Sequence, residues 1–170
     1  MTEIFGLSLL SERSSPKGMK KMDMRPIGIV KSPVSEQSDE NWGKVVSEIH
    51  VDESFSPGLR GLMEFSHITV VFFMHQATFN PSTDLVRRPQ GRADMPLVGI
   101  FAQRAKHRPN PLGMTAVPLV KIEENVLTVR GLDAIDGSPV LDIKPYVSAF
   151  DRVDQPVIPE WMGRLMDGYF

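Results

Sequence analysis

His67-Ile68-Thr69-Val70-Val71-Phe72-Phe73-Met74-His75 is the stretch on which the reading of the fold turns. It contains no Gly, Pro or formally charged residue and is dominated by β-branched and aromatic side chains, so it predicts a strand. The unbroken apolar run predicts burial on both faces, as for a central strand. Working outward toward lower numbers, Val45 to Val51 alternates, with Val45, Ser47, Ile49 and Val51 on one side and Val46, Glu48 and His50 on the other, which predicts a half-buried strand. Ile27 to Val30 is a further short strand stopped by Lys31-Ser32-Pro33. Between these two runs and His67, Phe55 to Phe65 carries Leu59, Leu62 and Met63 at helical spacing, with Ser56 as N-cap and Pro57 in the first helical position. Toward higher numbers come four more β-like runs, Leu97 to Gln103, Met114 to Ile122, Val126 to Leu132 and Val140 to Ile143, the middle pair joined by the polar turn Glu123-Glu124-Asn125. Pro159 to Asp167, with Trp161, Leu165 and Met166 on one side, predicts a closing helix. Successive strands with so little helix predict a mainly β chain, a single antiparallel β-barrel with one or two short helices.

The 170 residues, 41% hydrophobic and 24% charged, suffice for one globular core and contain no internal repeat. The organisation expected is an N-terminal extension over 1–24, a barrel domain over 25–150 and a tail with a short helix over 151–170. In the extension the apolar Ile4 to Leu10 precedes Arg13, Lys17, Lys20 and Lys21, the reverse of a secretory signal, and Met24 is a candidate start of the domain. No run approaches the roughly 20 apolar residues of a membrane helix. Zero cysteines exclude disulfides, thiolate metal sites and cysteine nucleophiles, and fit a cytoplasmic location. A net charge of -2 gives no global attraction to a polyanion, so any such partner must be met locally.

The motifs of P-loop, dinucleotide, zincin and serine-hydrolase chemistry are absent, and His50, His67, His75 and His107 lack ligand spacing, so no metal is expected. The unusual segment runs from Leu85 to Gly113. It concentrates Arg87, Arg88, Arg92, Arg104, Lys106 and Arg108 against Asp94 alone, and His107-Arg108-Pro109-Asn110-Pro111-Leu112-Gly113 spends two prolines and a glycine on shape. Guanidinium forks on a stiff loop suit a carboxylate or phosphate; the plainer alternative is a solvated loop. His75-Gln76, at the end of the buried strand, can present side chains to a ligand at a barrel rim, or His75 can simply cap the strand. Asp136-Gly137-Ser138-Pro139 reads as a turn. Asp142 and Lys144 share a strand face, either as an exposed ion pair or as a polar cluster at the barrel mouth.

Taken in order, Ile27-Gly28-Ile29-Val30-Lys31-Ser32-Pro33, Gly61-Leu62-Met63-Glu64-Phe65-Ser66-His67, Phe73-Met74-His75-Gln76, Val98-Gly99-Ile100-Phe101-Ala102-Gln103-Arg104, Arg108-Pro109-Asn110-Pro111-Leu112-Gly113 and Asp136-Gly137-Ser138-Pro139-Val140-Leu141-Asp142-Ile143-Lys144-Pro145-Tyr146 resemble the TsaA-like (TrmO) family, over about Pro26 to Tyr146. The resemblance implies a β-barrel that binds S-adenosyl-L-methionine, usually as a homodimer, and methylates N6 of N6-threonylcarbamoyladenosine at position 37 in the tRNA anticodon loop. Carried over, the cofactor contacts become His75, Gln76, Arg104, Leu112, Asp136, Gly137, Ser138 and Pro139. A further set, Asn41, Trp42 and Gly43, lies in the segment after the first strand, which lacks the Pro-Arg-Gln of many relatives; Trp42 either stacks on adenine or packs. Arg87, Arg88, Arg92, Lys106, Arg108 and Lys144 are candidates for the phosphates and the threonine carboxylate of the substrate. Asp136 and Asp142, or water, are candidates to take the proton from the acceptor nitrogen. The chain is expected to be a short form without the C-terminal domain of longer members. Two alternatives stand beside this one: a non-catalytic module that binds S-adenosyl-L-methionine or an adenine nucleotide, and a methyltransferase for another RNA or a small adenine-containing substrate.

Overall fold

Antiparallel pairing closes six strands of the chain on one another. In the computed structural model, which describes residues 23–170, these are β1 (Gly28–Lys31), β2 (Val46–Val51), β3 (His67–Phe73), β6 (Leu112–Glu123), β7 (Val126–Arg130) and β8 (Pro139–Pro145). Around the barrel they run β1-β2-β7-β6-β3-β8 and back to β1, every neighbour antiparallel. The expected extension over 1–24 lies, except for its last two residues, outside the described residues. Closure leaves the barrel without an open edge, and one inward residue in two fills its interior. Val30, Ile49, Val51, Ile68, Val70, Phe72, Val117, Leu127, Val129 and Val140 form that core, each at most 2% exposed.

Three expectations about elements are corrected. β3 is not buried on both faces: Ile68, Val70 and Phe72 point inward, while Thr69, Val71 and Phe73 are half-buried on the outside, because a closed barrel has a single interior. The run Leu97 to Gln103 is not a barrel strand. Only β5 (Val98–Gly99) is extended, it pairs with β4 (Val86–Arg87) in a separate ribbon, and a 3-10 turn over Ile100–Ala102 follows. The predicted helix over 55–65 is two 3-10 turns, Glu53–Leu59 and Leu62–Glu64, parted by Gly61 at φ 84; Asp52, not Ser56, caps the first by accepting from the Ser54 amide. The closing helix forms as α3 (Glu160–Met166), with Trp161, Met162, Leu165 and Met166 all half-buried. Two single-turn α-helices, α1 (Pro81–Asp84) and α2 (Ser148–Asp151), and 3-10 turns over Trp42–Lys44 and Pro89–Gly91 complete the helical content of the described residues. Among the described residues no helix is long and apolar enough to cross a membrane.

The start of β6 is shaped by a close approach that only glycine allows. Gly113 pairs with Phe72 across the β3–β6 ladder, and a Cβ on it would run into the Phe72 ring.

Candidate functional site

A cleft of about 1230 Å³ opens at this rim, where β3 ends and β6 begins. Phe72, Gly113 and Thr115 form its floor; the Pro/Arg-rich loop before β6 forms one wall, the 133–138 connection another, and the loop after β1 a third.

The Pro-rich loop owes its position to short local bonds. The Met74 amide donates to Pro111 O (2.8 Å) and the Leu112 amide to Asn110 O (2.8 Å), which fasten it to the end of β3. Arg104 is exposed and donates to Met114 O (2.6 Å), and Arg108 donates to Gln103 O (3.3 Å), so both guanidiniums are oriented by carbonyls rather than neutralised. Gln103 is 5% exposed and its amide donates to Arg87 O and Val98 O (3.1 Å each), tying the loop to the β4–β5 ribbon.

The Asp136-Gly137-Ser138-Pro139 turn behaves as its residue types require. Asp136 Oδ1 accepts from the Ser32 amide (3.1 Å), Gly137 takes φ 78 and its amide donates to Val30 O (2.9 Å), and Pro139 opens β8 opposite Ile29. Ser138, only 1% exposed, lines the cleft, its hydroxyl 3.5 Å from His75 Nδ1, and the His75 ring lies against Gly137. Gln76 lines the cleft beside it and accepts from Gln37 Nε2 at its carbonyl (3.2 Å). In the loop after β1, Trp42 is 2% exposed, borders the cleft, and donates from its indole to Ser38 O (3.1 Å). Asn41 sits at φ 62, and Gly43 is pressed against Phe170, whose carbonyl carbon would be 2.6 Å from a Cβ there.

The geometry thus gathers Gln76, Arg104, Leu112 and Ser138 around one space, with Trp42 at its edge and His75 just behind Ser138. Of the six cations considered for a substrate, Arg87, Lys106 and Arg108 line the cleft, Lys106 lying 3.8 Å from Asp39. The other three stand elsewhere. Arg88 donates to Met95 O, Arg92 is forked onto Asp94 (3.0 and 2.8 Å), and Lys144 is paired with Asp142 at 2.6 Å on the barrel exterior. The Arg92 hydrogen bonds pull the Asp94 carboxyl below its usual range, and the Asp142 hydrogen bond raises the Lys144 ammonium. Neither Asp136 nor Asp142 is among the residues lining the cleft; Asp142 Oδ1 accepts from the Ile143 amide (2.9 Å).

Three other carboxylates line the cleft, Asp39 beside Lys106, Asp151, which accepts from the Val147 amide, and Asp133, which sequence reasoning did not select. Asp133 accepts from Thr115 Oγ1 and from Tyr169 Oη (2.8 Å). Burial first, then the charge and hydrogen bond of Asp133, push the Tyr169 phenol far above its ordinary range. No local pattern marks either residue, since their 36-residue separation is closed only by the fold.

A closed six-stranded antiparallel barrel with a mixed polar and apolar cleft at its mouth defines a β-barrel ligand-binding domain. Residues 31–152 match the family of the tRNA-methyltransferase O N-terminal domain, and the chain belongs to that family. It is 42% identical over 134 residues to a probable S-adenosyl-L-methionine-binding protein of Methanothermobacter thermautotrophicus, the match covering 76% of this chain and 93% of the relative. It is 35% identical over 142 residues to the tRNA (adenine(37)-N6)-methyltransferase of Escherichia coli K12, covering 76% of this chain and 59% of that protein. The crystal structure of TrmO from Pseudomonas aeruginosa superposes with a TM-score of 0.69 at 29% identity, over 86% of this chain and 64% of that one. The chain therefore spans less than two thirds of the last two.

Proposed function

We propose that this chain is an S-adenosyl-L-methionine-dependent tRNA methyltransferase, acting on N6 of N6-threonylcarbamoyladenosine at position 37 and working as a cytoplasmic homodimer. The observation that carries this reading is the convergence of an amide, a guanidinium, a buried hydroxyl and apolar side chains, Gln76, Arg104, Ser138 and Leu112, on one cleft. Those groups suit the donor's adenine edge, its carboxylate, its ribose hydroxyls and its aliphatic part in turn. At about 1230 Å³ the cleft also exceeds the 300–1,000 Å³ of ordinary ligand pockets, which leaves room for a second group beside the donor.

When bound, S-adenosyl-L-methionine supplies an electrophilic methyl group on a sulfonium. The protein's part is chiefly positioning, which for oriented reactants is worth on the order of 7–11 kcal/mol. Arg104, held by Met114 O, faces the cleft as a fixed cation for the donor carboxylate. Lys106, Arg108 and Arg87, with Arg104, outnumber the cleft carboxylates Asp39, Asp133 and Asp151 and give an acidic chain a local positive excess with which to hold an anticodon loop and its threonine carboxylate. Asp136 caps a turn and Asp142 is paired with Lys144, while the carboxylates on the cleft are engaged, Asp133 by Thr115 and Tyr169, Asp39 beside Lys106 and Asp151 by the Val147 amide; water is therefore assigned as the acceptor of the N6 proton. The homodimer is supported by large apolar side chains left in the open, Phe101 at 80% and Phe150 at 88% exposed.

A second reading, a non-catalytic binding module, is favoured by the M. thermautotrophicus relative, whose name speaks of binding alone. Labelled S-adenosyl-L-methionine incubated with total tRNA separates them. The methyltransferase reading predicts label in RNA and release of S-adenosylhomocysteine, both abolished by ribonuclease pretreatment. Binding without release establishes the module, and release that survives ribonuclease points to a small acceptor.

A further inference from the structure

The segment over 160–170 lies outside the 31–152 family match, yet it supplies part of the cleft. Met162, Leu165 and Met166, at helical spacing on α3, line it from the open side. The Arg92 guanidinium donates to Arg164 O on α3 (3.4 Å), and where the chain then turns back it is fastened at three more points. The Asn41 amide donates to Gly168 O and the Trp42 amide to Tyr169 O, 2.8 Å each, and Tyr169 Oη donates to Asp133 (2.8 Å). Two of these fasteners are backbone groups of the loop after β1, where the family resemblance puts candidate cofactor contacts.

The side-chain fastener has a chemical consequence. Asp133 and Arg104 carry opposite charges on the same cleft, and both act on the Tyr169 phenol, the carboxylate raising its proton affinity and the guanidinium lowering it. An Asp133 carboxylate without hydrogen-bond donors would be open to the Arg104 guanidinium of the same cleft and would compete with a ligand for it. Here Thr115 and Tyr169 donate to the two oxygens of Asp133, and among the described residues no ion pair joins it to Arg104.

We propose that Tyr169 is a positioning residue of the cofactor cleft: its hydroxyl latches the 160–170 segment in place as a wall and, with Thr115, occupies Asp133 so that Arg104 stays available to an anionic ligand group. This inference rests on the reading of the cleft as the S-adenosyl-L-methionine site. It assigns the segment a ligand-binding role rather than that of a passive tail.

The test is calorimetric titration of the full chain with S-adenosyl-L-methionine. Tyr169→Phe should raise Kd at least tenfold, because it both loosens the wall and frees Asp133 to pair with Arg104. Adding Asp133→Asn to that variant should restore most of the affinity, since the competing charge is gone. A latch with only a structural role predicts no rescue and a further loss. Tyr169→Phe that binds as tightly as wild type, or a double variant no better than the single, overturns the inference. Should Tyr169→Phe fail to fold, Leu165→Ala, which thins the wall without touching the latch, must raise Kd several-fold or the wall role falls. A wild-type chain that does not bind at all instead overturns the cofactor reading on which the inference stands.

Discussion

Arg104 is the residue whose side chain makes the most direct claim on chemistry. Its guanidinium is exposed, steered by Met114 O and turned into the cleft. A hydrogen bond to a charged group contributes roughly 1.5–3 kcal/mol, so Arg104→Ala should weaken S-adenosyl-L-methionine binding by about 10- to 100-fold in a titration, with little change in melting temperature. Tyr169 makes a different claim, one that pH can check. Its phenol is raised above the ordinary value of 10.0 by burial and by Asp133, so its contribution to stability is fully present below that value and is lost as pH rises through the folded-state value. The difference in melting temperature between wild type and Tyr169→Phe should therefore be flat between about pH 6 and pH 9; a difference that shrinks within that window would show that the phenol ionises early. Single residues were unevenly legible. Asp136 was readable as a turn residue because Asp and Gly advertise turn geometry locally, whereas Asp133 and Tyr169 carry no local sign of the bond that joins them.

Among the elements, the barrel strands were legible because one inward residue in two must be apolar or small: Ser47, Ile49 and Val51 of β2 fall on the inward side as the alternation requires. The double-sided burial expected of β3 failed because its outward Val71 and Phe73 are apolar without being core. The stretch from Leu97 to Gln103 misled for a related reason. Ile100 and, nearby, Met95 are buried but stand outside the barrel core, and their hydrophobicity cannot say which. The Pro/Arg-rich loop was readable as an unusual object, but not the division of its cations. Lys106 and Arg108 face the cleft, while Arg92 is taken by Asp94 only two residues away. The double reversal Lys106→Glu/Arg108→Glu should weaken tRNA binding by at least tenfold at low salt and flatten its salt dependence, by about 0.7 in log-log slope for each single-stranded phosphate no longer neutralised. S-adenosyl-L-methionine affinity should stay within about twofold; a fall in both affinities together would mean that the loop builds the donor pocket instead.

For the whole molecule, closure of the barrel removes edge strands but leaves an unusual amount of large apolar surface around the ribbon and the chain after β8, where Phe150 and Val157 are 88% and 98% exposed. A partner copy is the occupant proposed for that surface. Light scattering should give about twice the chain mass of 19.0 kDa, and Phe150→Glu should shift the population toward monomer. A wild-type mass equal to one chain at micromolar concentration would remove the homodimer from the account. The wall formed by 160–170 belongs to this scale too, since it joins the far end of the chain to the loop after β1 through Asn41 and Trp42, a junction visible only once the barrel is closed.

The central claim is that this barrel transfers a methyl group to an already modified adenosine in tRNA. Its most direct test supplies labelled S-adenosyl-L-methionine with two tRNA pools, one bearing the threonylcarbamoyl group at position 37 and one lacking it, followed by mass spectrometry of the nucleosides. The account predicts a methyl group on N6-threonylcarbamoyladenosine in the first pool and none in the second. Donor binding without methyl in either pool, or methyl on adenosine regardless of the threonylcarbamoyl group, would contradict it.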